Sequence, residues 1–72
     1  MQVGKQFKRW AYGRYVLFTV IEVKTQRKCI VVHDDLYKAP AISSVTISQR
    51  KDGTWLPVGT VYGYGNELFL EV

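Results

Sequence analysis

The stretch Arg14 to Lys24 constrains this chain most, because β-branched and aromatic side chains crowd into it and no helical stripe can be drawn through it. As an extended strand it places Tyr15, Leu17, Thr19, Ile21 and Val23 on one face and Val16, Phe18, Val20 and Glu22 on the other. Both faces are rich in apolar groups. Such a strand bends around a barrel, sits centrally in a two-layer sandwich, or has its outer face covered by another subunit.

Short runs of the same kind, separated by Gly, Asp, Asn and Pro, fill most of the chain. Lys28 to His33 sets Cys29, Val31 and His33 against Ile30 and Val32, and should pair antiparallel with the preceding run across the polar connection Lys24 to Arg27. Further on, Val45 and Ile47 alternate with Ser44, Thr46, Ser48 and Arg50, as in a half-solvated strand. Asp52-Gly53 is a hairpin signal, since tight turns that match strand twist need positive φ. Thr54 to Val58 should return along that strand, with Pro57, which lacks an amide donor, marking an edge or a bulge. A last hairpin over Val61 to Val72 turns near Gly65-Asn66 and sets Leu68, Leu70 and Val72 against Glu67, Phe69 and Glu71.

The opening run, Val3 to Trp10, places Val3 and Phe7 on one face with Lys5 and Arg9, so it reads as an edge or bulged strand. Between His33 and Ser43 no strand pattern exists, and Asp35 could cap a single helical turn ended by Pro40. The expected fold is all-β: a small antiparallel barrel of five or six strands, SH3-like or OB-like, with one short helical turn near residues 35–39. A small open sheet or sandwich is the alternative. At 72 residues the chain has room for one core, hence a single domain over residues 1–72.

The same length limits the chemistry. One histidine, one cysteine and six carboxylates are too few for a metal cage or a catalytic triad, so no enzyme, metal or cofactor is expected. His33-Asp34-Asp35 is disfavoured as a metal site, because neighbouring strand residues point to opposite faces. Cys29 reads as a small buried residue. A lone cysteine rules out an internal disulfide and suits the cytoplasm. The longest apolar stretch, Tyr15 to Ile21, falls short of the roughly 20 residues of a membrane helix, and the basic start lacks a signal-peptide layout. The chain reads as a complete small gene product of the kind common on phages and mobile elements.

Charge is unevenly distributed. Residues 1–28 carry seven cations against Glu22, whereas residues 29–72 carry three against five acids, and the whole chain is +4. Aromatic residues Phe7, Trp10, Tyr12 and Tyr15 interleave with the basic half. Cations that track phosphates and flat rings that stack on unpaired bases suit single-stranded nucleic acid. The expected contacts are Lys5, Lys8, Arg9, Trp10, Tyr12, Arg14, Arg27 and Lys28. The alternative is a protein-binding or inhibitory module, an accessory product of a mobile element. It would act through the apolar face of Val16, Phe18 and Val20, or through the tyrosine loop of Tyr62 and Tyr64. If that strand face is external, with Ile30, Val32 and Phe69, a symmetric homodimer would cover it; strand curvature and the segment Leu36 to Ile42 are the alternative cover.

Val3-Gly4, Gly13-Arg14-Tyr15, Thr19-Val20-Ile21-Glu22-Val23 and Lys28-Cys29-Ile30-Val31-Val32 resemble the opening strands of Tudor and other SH3-like barrels. Tyr64-Gly65-Asn66 resembles a Tudor turn. That resemblance implies an SH3-like barrel and an aromatic cage for methylated ligands.

Overall fold

A chain rich in β-branched residues and broken by turn formers folds as a meander, and the turns set its registers. A computed structural model describes residues 1–11, 13–33, 44–58 and 68–72. The chain reverses between β1 (Gln6–Ala11) and β2 (Arg14–Thr25), where Gly13 takes φ +76°. Their pairing runs without a break from Ala11↔Arg14 to Gln6↔Thr19. A second reversal at Gln26-Arg27 leads to β3 (Lys28–His33), and β4 (Ser44–Gln49) pairs with β3 from Lys28↔Ser48 to Val32↔Ser44.

β5 (Trp55–Pro57) returns along β4, and β6 (Leu70–Glu71) pairs with β1. The sheet order is β5-β4-β3-β2-β1-β6, antiparallel throughout, with no helix among the described residues. Phe69 N donates to Trp55 O at 3.0 Å and forms an isolated bridge there, so the two ends of the sheet meet. The expected all-β, barrel-like architecture is therefore present as a curled sheet. Pro57 lies in the terminal strand β5, as its missing donor requires.

Period-two alternation places the core. Phe7, Val16, Phe18, Val20, Cys29, Val31, Val45, Ile47, Trp55 and Phe69 are all buried on the inner face. Phe18 contacts Phe69 and His33 edge-on, with centroids 4.9 and 5.0 Å apart, and Phe7 meets Trp55 at 5.2 Å. Burial pushes the Cys29 thiol up, against the opposing pull of the positive amino terminus.

Three expectations are corrected. The docking face assigned to Val16, Phe18 and Val20 is the core, at 2%, 1% and 0% exposure, because β3 and β4 lay Cys29, Val31, Val45 and Ile47 against that side. The need for a dimer to cover it goes with that assignment. β1 is not an edge, since β6 flanks it, and its pairing with β2 carries no bulge. The irregularities lie in β2 instead, where the register with β3 shifts between Val20 and Glu22 and again between Val23 and Thr25. Beyond the first shift Glu22 faces Ile30 while Val23 turns inward beside Cys29 and packs on the core, the reverse of the simple alternation. The proposed helical turn at 35–39, Asp34 and Asp35, and the hairpin turn at 65–66 lie outside the described residues.

Asp52-Gly53 forms the expected hairpin turn. Gly53 N donates to Arg50 O at 2.9 Å, Arg50 N to Thr54 O at 2.8 Å, and Gly53 takes φ +91°. Nothing lies within 4 Å of a Cβ built on Gly53. Gly53→Ala should thus destabilise the fold through backbone strain alone, by about 1 to 2 kcal/mol. Urea unfolding checks this, and a midpoint equal to the parent's would show that the turn does not require its left-handed residue. The Asp52 carboxylate accepts bonds from Thr54 Oγ1 at 2.6 Å and Thr54 N at 3.0 Å, which hold it below the usual carboxylate range. A depressed folded pKa stabilises the fold above the unfolded value of about 3.9 and loses that effect as pH falls through the folded value. The Thr54 amide shift should therefore titrate with a midpoint below the usual carboxylate value of about 3.9, and Asp52→Asn should remove that step.

Candidate nucleic-acid interface

On β1 the inner positions are Phe7 and Arg9, so Gln6, Lys8 and Trp10 point outward. The register with β2 seats Trp10 opposite Tyr15, Lys8 opposite Leu17 and Gln6 opposite Thr19. β6 adds Leu70 opposite Lys8. These pairings build one outer face.

Trp10 and Tyr15 are the centre of that face, 52% and 50% exposed, in edge contact with centroids 5.0 Å apart and planes at 82°. The Lys8 ammonium lies 4.7 Å from the centre of the Tyr15 ring, a cation–π seat that holds a long side chain over the strand. Gln6 Nε2 donates to Thr19 Oγ1 at 3.3 Å and extends the face with polar groups. Leu17 and Leu70 add exposed apolar surface beside Lys8. Arg14 opens β2; by register it belongs to the inward row of Arg9 and Val16, but it sits at the strand's end and is exposed. The face thus offers half-exposed aromatic edges and planes with cations on the same hairpin.

The expected contact residues do not form one cluster. Lys8 and Trp10 share the outer face of the β1–β2 hairpin, whereas Arg14 lies in the opposite row, exposed at the start of β2. Arg9 does not join them: at 7% exposure it shares the inner face with Phe7, because strand periodicity carries residues 7 and 9 to one side. Lys5 is tied to Glu71 Oε1 at 3.0 Å. Arg27 and Lys28 lie at the other end of β2, exposed, beside the turn at Arg50 and Lys51. Tyr12, Tyr62 and Tyr64 lie outside the described residues, as does the Tudor-like turn at 64–66.

Tyr15, Leu17 and Leu70 were missing from the expected contacts. The signal for Tyr15 was present, since a two-residue turn at residues 12 and 13 implies the pairs Ala11↔Arg14 and Trp10↔Tyr15. Leu70 carried no such signal, because its neighbour β1 is distant in sequence. Among the described residues no group of three or more His, Cys, Asp or Glu could hold a metal ion, and no helix is long and apolar enough to cross a membrane. No protein-family model, curated protein or solved structure matches the chain, so the reading of this face rests on its own residues.

Proposed function

We propose that this protein is a non-catalytic, cytoplasmic nucleic-acid-binding module that prefers single strands and binds them across the outer face of the β1–β2 hairpin. The observation that carries the reading is the half-exposed Trp10–Tyr15 pair with Lys8 seated over one of its rings. Rings left exposed where ten other apolar residues are buried among the described residues are available to unpaired bases. Lys8 supplies charge on the face itself and Arg14 at the exposed end of the hairpin, and the chain's net charge of +4 favours encounter with a polyanion. Half-exposed rings suit splayed single-stranded bases better than duplex, whose bases are stacked away from such rings.

The test is fluorescence anisotropy of labelled single- and double-stranded oligonucleotides at low and near-physiological salt. Single strands should bind more tightly, with log K falling by about 0.7 per unit log salt for each phosphate contacted. Changing Lys8 and Arg14 together to Gln should flatten the slope by about 1.4, one contact each. Arg9 is unsuited to this experiment, since replacing a buried residue would disturb the fold. Absence of binding at low salt would rule the reading out.

A second reading, a protein-docking or inhibitory module, is favoured by the apolar neighbours Leu17 and Leu70 at 42% and 39% exposure on the same face. It predicts salt-tolerant association that Leu17→Asp abolishes without unfolding the chain.

A further inference from the structure

β2 is twelve residues long, so Arg14 and Thr25 stand at opposite ends of the longest strand among the described residues. The Trp10–Tyr15 pair marks the Arg14 end. At the Thr25 end two turns lie side by side, joined by Gln49 N donating to Arg27 O at 2.8 Å and by the pairing Lys28↔Ser48. Between them runs a shallow cleft lined by Arg27, Gln49, Arg50, Lys51 and Asp52. Its three cations are exposed and have no carboxylate within ion-pair distance among the described residues. The one acid, Asp52, is committed to Thr54 N and Oγ1, and Arg50 acts on it only through its charge. The Met1 amino group donates to Gln26 Oε1 at 2.9 Å and adds a further positive charge next to Arg27.

Three cations from two separate turns, brought to one cleft against the single carboxylate of Asp52 and outside ion-pair distance of it, leave an excess of positive charge that suits a phosphate group. Resting on the nucleic-acid reading above, we propose that this cleft is a second phosphate-binding site, and that one molecule bridges two segments of nucleic acid held at its opposite ends. The cleft has no exposed aromatic ring among its lining residues, so it grips backbone, while the Trp10–Tyr15 face takes bases. Charge at one end is screened from the other, because the Debye length is about 8 Å at physiological salt. The two sites therefore work independently.

Bridging is measured by energy transfer between two non-complementary oligothymidylate strands of about 12 nucleotides, one carrying a donor and the other an acceptor. Transfer should rise as protein is added and fall again at excess, when each strand has its own protein. The triple change Arg27→Gln, Arg50→Gln and Lys51→Gln should reduce transfer about tenfold or more, while affinity for one strand, read by anisotropy, stays within about threefold of the parent. Parent protein that binds one strand but gives no transfer at any ratio would overturn the second site. So would a triple variant that bridges as well as the parent, which would assign bridging to contacts between protein copies. Failure of either strand to bind at all would instead overturn the reading of the aromatic face.

Discussion

Phe18→Ala should lower the stability of the chain by about 3 to 5 kcal/mol, whereas Leu17→Ala, one residue away, should cost little. Phe18 is 1% exposed, pairs with Phe7 on one side and His33 on the other, and meets the Phe69 ring that joins the two ends of the sheet. Emptying such a site costs about 3 to 5 kcal/mol. A domain of this length has about 4 to 11 kcal/mol in total, so the loss consumes from about a quarter of the margin to all of it. Leu17 faces outward at 42% exposure, and its truncation removes little buried area. Cys29 provides the readout: it is the chain's single cysteine, fully buried, with its thiol pushed up by burial. Native protein should resist a thiol reagent, and Phe18→Ala should react about a hundredfold or more faster, as its unfolded fraction rises. If Phe18→Ala kept Cys29 protected and unfolded within about 1 kcal/mol of the parent, Phe18 would not be a core residue.

This contrast also locates what the sequence could and could not reveal. The alternation of Val45 and Ile47 with Ser44, Thr46 and Ser48, the Asp52-Gly53 turn and the burial of Cys29 were legible, because each rests on local chemistry that one reading satisfies. The inward face of β2 was not. Tyr15, Leu17 and Ile21 are as apolar as Val16, Phe18 and Val20, so hydrophobicity alone leaves the strand's orientation open. The register decides it, since Val20 pairs with Val31, and Val31 with Val45, in a strand whose other face is serine and threonine. The bulge after Val20 needs no special residue type, so nothing in the sequence announced that Val23 would turn inward. Arg9 is the opposite case. Its position two residues from Phe7 on a strand already implied the inner face, and its charge argued for the outside; periodicity prevailed.

Trp10→Ala and Tyr15→Ala should each weaken single-strand binding about 5- to 150-fold, equivalent to the 1 to 3 kcal/mol that stacking one base contributes. The double variant should lose less than the product of the two effects, because the rings touch at 5.0 Å and removing either unseats the other. Tyr15→Ala also removes the ring under the Lys8 ammonium, so it should alter the salt slope slightly, whereas Trp10→Ala should lower affinity at constant slope. Folding is a minor concern: both rings are half exposed, and their mutual contact is worth about 0.5 to 1.5 kcal/mol. Trp55, the other tryptophan, is buried at 4% exposure, so bases that quench the parent's emission must do so through Trp10. Stacking thus predicts quenching that saturates with the anisotropy curve in the parent and in Tyr15→Ala. Binding that persists unchanged in both single variants, without quenching in the parent, would show that the protein holds phosphates alone, and the aromatic pair would then be free for the protein partner that Leu17 and Leu70 favour.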